Sequence, residues 1–207
     1  MLASAILSTL VNDLTAGTLY TAFLTVNNFS IVDAGVLTFL PLIAACFSVF
    51  SPIVLERFKR RRWILAGGRA AYYAINILGL TILPYAVKDQ SAKLVCFGAV
   101  IFLASLVNNL FASGYSVWHL NFIPESVRAR YLSYQQMITA LLSGVALIGS
   151  GLLADALRGT PNEATVLTVL RLAGFLLAAA DVTFLALPKE FTYPQRESRI
   201  RLLHALR

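Results

Sequence analysis

Six long apolar stretches alternate with short polar segments along the chain. Each stretch reaches about 20 residues, the length that a helix needs to cross the hydrocarbon core of a bilayer. The runs are too long for strands and do not alternate between polar and apolar positions. The pattern therefore predicts an all-α membrane protein with six transmembrane helices. Their expected ranges are Leu2–Val26, Ala34–Leu55, Trp63–Val87, Lys93–His119, Tyr131–Ala154 and Ala164–Leu187.

Composition agrees with this class. The 207 residues are 58% hydrophobic and 13% charged, with a mean hydropathy of +0.73, values typical of an integral membrane protein. The net charge of +7 could indicate nucleic-acid binding in a soluble protein. Here the cations flank apolar runs, which favours membrane lipid rather than nucleic acid as the partner.

The distribution of Lys and Arg predicts the orientation. In the six-helix arrangement, one side holds twelve cations, most densely in the loop Arg57–Arg62, and the other side holds three. Basic loops stay on the cytoplasmic side, so both termini are expected there. We expect an integral protein of a bacterial plasma membrane, with a six-helix domain at residues 1–190. Residues 191–207 would form a basic amphipathic cytoplasmic tail, or alternatively a frayed terminus.

Polar residues inside the predicted spans mark candidate binding positions. Asp13 lies near the middle of the first span, where a charged side chain costs about 3 kcal/mol. It is the candidate for ion or proton coupling, or alternatively a satisfied structural carboxylate. The asparagines could line a cavity or bond to another helix. The substrate-binding candidates are Asn12, Asp13, Tyr20, Asn108, Asn109, Tyr115, Gln135 and Gln136.

Helical spacing leads to further expectations. Asp13, Gly17 and Tyr20 should share one face of a continuous first helix. Gly144 and Gly151 lie at helical spacing in the fifth span, which favours close packing against a neighbouring helix. Arg69 could extend to the basic interface or pair with Glu56, and Arg171 and Asp181 could each reach an interface.

Motifs of enzymes are missing from the sequence. It contains no GxSxG, HExxH or Walker loop. Its two histidines, His119 and His204, are too far apart in sequence to suggest a metal cluster. We therefore expect a protein that is not an enzyme and that holds neither a cofactor nor a metal.

Two loops carry a family resemblance. The segment Glu56–Arg61 resembles the loop signature of the major facilitator superfamily, Gly-x-Leu-x-Asp-Arg-x-Gly-Arg-Arg, with Pro52 and Lys59 at the positions of its glycines. Pro124-Glu125, followed by Arg128-Ala129-Arg130, is similar to the loop between the fourth and fifth helices of many of these transporters.

The resemblance implies half of a transporter. Members of the superfamily have two six-helix halves, each built from two inverted three-helix repeats. This chain resembles the amino-terminal half, which implies secondary transport of a small solute by alternating access, with a second copy supplying the other half. The alternatives are a separately encoded partner half, a membrane scaffold or lipid-handling subunit, and a truncated product. The resemblance also implies a cytoplasmic gate composed of Glu56, Arg57, Arg60, Arg61 and Arg69.

Overall fold

The computed structural model describes residues 2–56, 58 and 61–188, except the side chain of Glu56. Within these residues it contains helices and no strands. The helices are α1 (Leu2–Thr15), α2 (Gly17–Val26), α3 (Ile31–Ala45), α4 (Ser51–Glu56), α5 (Arg62–Tyr73), α6 (Leu80–Ala86), α7 (Gln90–Asn121), α8 (Glu125–Leu157) and α9 (Glu163–Ala186). The prediction of an all-α protein is confirmed.

Among the described residues, five helical stretches are long and apolar enough to cross a membrane. They correspond to the first, second, fourth, fifth and sixth predicted spans. Four begin earlier than predicted. Ser30 and Asp89 cap the first turns of α3 and α7 through the N–H groups of Asp33 and Ala92, and α8 starts directly after Pro124. Their ranges are Leu2–Val26, Ile31–Leu55, Gln90–Asn121, Glu125–Leu157 and Glu163–Ala186.

The third predicted span forms a helix of three consecutive parts. After α5, a π-helical turn occupies Ala74–Gly79, and α6 continues to Ala86. A π-helical turn displaces backbone carbonyls from the usual bonding pattern and frequently occurs at functional sites. This segment is not among the five stretches above.

The first predicted span is not one continuous helix. α1 ends at Thr15, Ala16 is extended, and Gly17 begins α2 with a φ of 62°. Glycine suits this left-handed conformation because it has no Cβ. The expectation that Asp13, Gly17 and Tyr20 share one uninterrupted helical face was therefore wrong.

Three apolar clusters hold the bundle together at successive depths. The first joins Leu55, Leu65, Trp118 and Leu185 at the end of the bundle nearest the basic loop, which we call the Arg61 end. The second contains Val11, Tyr73, Ile77 and Ala178. The third lies at the opposite end and contains Leu19, Phe23, Leu24, Phe29, Leu37, Leu80, Phe97, Ile101 and Leu167.

Close helix packing occurs at glycines other than those predicted. A Cβ at Gly114 would lie 2.6 Å from Leu65 Cδ2, so α7 approaches α5 closely there. At Gly144 and Gly151 a Cβ would meet nothing within 4 Å. The expectation that these two glycines pack against a neighbouring helix is wrong within this chain, because they lie on the sparsely covered side of α8.

Candidate functional site

A buried ion pair connects α5 to α9. Arg69 Nε donates to Asp181 Oδ2 over 2.9 Å, and Tyr73 Oη donates to the same oxygen over 2.7 Å. Ser4 Oγ, from α1, donates to the other carboxylate oxygen. Asp181 has no exposed surface, so these donors replace the water that a buried carboxylate has lost. The pair fixes three helices near the Arg61 end.

A second buried cation lies where the helices are interrupted. Arg171, on α9, is 3% exposed and donates to the carbonyl oxygens of Thr15 and Asn76 over 3.3 and 3.2 Å. Its Nε also donates to Thr81 Oγ1, over 3.2 Å. Thr15 is the last residue of α1, and Asn76 lies in the π-helical turn. Arg171 thus satisfies carbonyls at both irregularities.

Arg171 and Asp181 were expected to reach the membrane interfaces, and both expectations are wrong. Each side chain is enclosed by neighbouring helices. The expectation that Arg69 extends to the interface is also wrong, since it pairs with the buried Asp181. Its expected pairing with Glu56 involves a side chain outside the described residues.

Three cavities follow one another between the helices. The His119 cavity, of about 440 Å³, lies toward the Arg61 end and includes Ser8 and Arg69 in its wall. The Asp13 cavity, of about 380 Å³, shares Ser8 and Arg69 with it. The Tyr20 cavity, of about 400 Å³, shares with the Asp13 cavity the residues Asn12, Thr15, Tyr72 and Asn108. Their common wall residues make a continuous row of cavities, of which the Asp13 cavity is the most polar.

Asp13 is the exceptional residue of this row. Asp13 is 8% exposed and lines the Asp13 cavity. No described residue donates a hydrogen bond to its Oδ2 atom. A buried carboxylate without a partner is costly, and such groups inside membrane helices commonly serve ions or substrates. The arrangement can therefore accept a proton, a cation or a ligand ammonium group.

Most of the predicted binding residues line the cavities. Gln136 does not, because its side chain is exposed on the outside of α8. Asn109 and Tyr115 line cavities while donating to the carbonyls of Ser105 and Leu65. Gln135 bonds to His119 Nε2 over 2.7 Å. The predicted residues that the structure brings to the cavity walls are Asn12, Asp13, Tyr20, Asn108, Asn109, Tyr115 and Gln135.

Only part of the predicted cytoplasmic gate lies within the described residues. Arg57, Arg60 and the side chain of Glu56 lie outside the described residues. Arg61 is half-buried and directly precedes α5. Arg69 lies two turns farther along α5, at the buried ion pair.

Sequence reasoning did not assign Ser4, Tyr73 or Asp181 to the site. Arg69 and Asp181 are opposite charges in two predicted spans, at similar distances from the predicted cytoplasmic ends. That pattern was the signal that could have paired them, because isolated charges inside a membrane are costly. Nothing in the sequence marked Ser4 as the partner of a residue at the far end of the chain.

Comparisons with protein-family models, curated proteins and solved structures found no match. The likeness of the two loops to the major facilitator superfamily therefore stays a prediction. Among the described residues, no group of three or more His, Cys, Asp or Glu side chains could hold a metal ion.

Proposed function

We propose that this chain is a half-size secondary transporter that moves a small solute across a membrane by alternating access. In this proposal the helix from Arg62 to Ala86 is a sixth membrane span. The observation that carries the proposal is the polar Asp13 cavity in this row of cavities, where a buried carboxylate has no described donor at Oδ2. Polar cavities inside a membrane bundle commonly line solute pathways.

The broken first span supports the same function. Transporter sites often lie where a membrane helix is interrupted, because unpaired backbone groups there can bind a ligand. Ala16 and Gly17, at the break, line the Tyr20 cavity. Asp13 lies just before the break and faces the adjoining cavity.

A second copy of the chain is proposed to complete the pathway. Among its described side chains, α8 buries only Ser150, and α3 buries only Leu37 and Ala44. Their open apolar faces include Leu141, Val145, Ile148 and Leu152 on α8. These faces require a cover of lipid or protein, and a two-fold dimer would supply a second wall for the cavities. A complementary half encoded separately is the other way to supply that wall.

Two-sided access to the Asp13 cavity tests the proposal without knowledge of the solute. Ser143 lines this cavity from α8. In a variant with Cys46→Ser and Cys96→Ser, we expect Ser143→Cys to react with a membrane-impermeant thiol reagent added to either side of a vesicle. Alternating access opens one site to each side in turn.

The control lies on the same helix. Leu152→Cys, on the open apolar face of α8, should react from neither side because lipid or a partner covers it. A membrane scaffold has no need of a solvated pathway. Ser143→Cys reacting from one side only, or from neither, would contradict transport by alternating access.

A further inference from the structure

The guanidinium group of Arg69 has donors left for a ligand. Its Nε atom donates hydrogen bonds to Asp181 and Tyr73. Its terminal nitrogens donate to no described residue, and the side chain is 16% exposed. Arg69 lines both the His119 and the Asp13 cavities. A planar guanidinium edge is the geometry that binds a carboxylate with two parallel hydrogen bonds.

The Asp13 cavity thus contains an anion and a cation that both lack a complete set of partners. Asp13 and Arg69 line the same cavity of about 380 Å³, so a small ligand in it can contact both side chains. A ligand small enough for this cavity that bonds to both groups carries its opposite charges only a few ångströms apart. The ammonium and carboxylate of an α-amino acid have this separation.

The geometry points to a small zwitterion, an α-amino acid with an apolar side chain, as the ligand of the Asp13 cavity. This inference rests on the proposed transport function and names its substrate class. The ammonium group bonds to Asp13, and the carboxylate bonds to the terminal nitrogens of Arg69. The amide groups of Asn12 and Asn108 lie in the same wall and supply further hydrogen-bonding groups.

The adjoining Tyr20 cavity has room for the side chain of the ligand. Its wall combines Leu37, Pro41, Leu42 and Ile101 with the asparagines that it shares with the Asp13 cavity. An apolar wall beside a charged headgroup site favours an amphipathic ligand over a fully polar one. Leucine is the matching probe, because it joins a zwitterionic headgroup to a branched apolar side chain.

Three related compounds test each charge separately by calorimetric titration of the full chain in mild detergent. Leucine carries both charges, leucinamide keeps the ammonium and lacks the carboxylate, and 2-hydroxyisocaproate keeps the carboxylate and lacks the ammonium. We expect leucine to bind at least tenfold more tightly than either analogue. No binding of leucine, or equal binding of leucine and leucinamide, would overturn the inference.

Two variants test which protein residue binds each charged group of the ligand. Asp13→Asn should remove the preference for leucine over 2-hydroxyisocaproate, whereas Asp155→Asn, at an exposed carboxylate on α8, should leave it unchanged. Arg69→Lys should remove the preference for leucine over leucinamide, because an ammonium cannot present the guanidinium edge. If Arg69→Lys does not fold, the comparison of the three compounds on the unchanged chain decides the role of the carboxylate.

The failure of this inference can be separated from the failure of transport. Thiol labelling of Ser143→Cys from both sides, combined with no binding of leucine, would contradict the zwitterionic ligand while still supporting the proposed transport function. Binding of leucine combined with labelling from one side only would support the zwitterionic ligand and contradict alternating access.

Discussion

Asp181 is the residue on which the Arg61 end of the bundle depends most. It accepts hydrogen bonds from Ser4, Arg69 and Tyr73, which belong to two other helices. Removing one member of a buried ion pair leaves the other charge uncompensated, at a cost of about 3–5 kcal/mol. We expect Asp181→Asn to lower the thermal unfolding midpoint of the purified protein strongly, measured by scanning fluorimetry.

The double variant Arg69→Met with Asp181→Leu is the matched control for this prediction. Replacing both charges with apolar residues removes the desolvation cost together with the attraction, so most of the stability should return. A double variant as unstable as Asp181→Asn would show that the cost arises from packing and not from an unpaired charge.

Substitution of Asp13 should have the opposite effect on stability. No described residue donates to Oδ2 of its buried carboxylate, so Asp13→Asn removes an uncompensated charge and should raise the free energy of unfolding by about 1 kcal/mol. Binding sites commonly sacrifice stability in this way. Chemical unfolding in detergent measures the change, with Asp155→Asn expected to be neutral. A marked loss of stability in Asp13→Asn would identify a structural carboxylate instead.

At the scale of the helix, the break between α1 and α2 depends on Gly17. Its φ of 62° lies in the left-handed region, where a side chain costs about 1–2 kcal/mol. A Cβ there would meet Leu147 at an ordinary 3.9 Å, so the backbone rather than crowding would cause the loss. We expect Gly17→Ala to lower the unfolding free energy by this amount, measured by chemical unfolding in detergent.

Gly35 provides the comparison for Gly17→Ala. It lies inside α3, and a Cβ at this position would meet nothing within 4 Å. Because alanine also favours a helix more than glycine does, Gly35→Ala should be neutral or stabilise by about 0.5–1 kcal/mol. Equal effects of the two substitutions would indicate that the break does not require a left-handed residue.

The apolar pattern predicted helix type and approximate range well, because long apolar runs leave few alternatives. It could not predict the break at Ala16, since residues on both sides of it are apolar or small. The break becomes favourable through Arg171, which bonds to the carbonyl of Thr15 from the far end of the sequence. Hydrogen bonds between distant segments, such as that of Ser4 with Asp181, could not be predicted from local sequence patterns either.

The sequence predicted which polar residues line the cavities more readily than it predicted their contacts. Searching for polar residues inside apolar spans found Asn12, Asp13 and Asn108, because burying such groups is costly enough to require a reason. The same search misjudged Arg171 and Asp181, since distance from a helix end does not reveal whether neighbouring helices enclose a side chain.

At the scale of the whole molecule, the open faces of α3 and α8 lead to a prediction about assembly. We expect native mass spectrometry from a mild detergent to find a complex of twice the 22.6 kDa chain mass. A two-fold dimer would reproduce the two-half arrangement of a full transporter. Detection of the monomer alone, at every concentration tried, would contradict the homodimer.

Transport itself is tested most directly by solute uptake into proteoliposomes. The panel would contain labelled leucine, a sugar, an organic amine and a carboxylate, with protein-free liposomes as the background. We predict protein-dependent uptake of leucine that Asp13→Asn abolishes and Asp155→Asn preserves. Uptake of another solute instead of leucine would support transport and contradict the proposed substrate class. No uptake of any solute above background would contradict the proposed transport function.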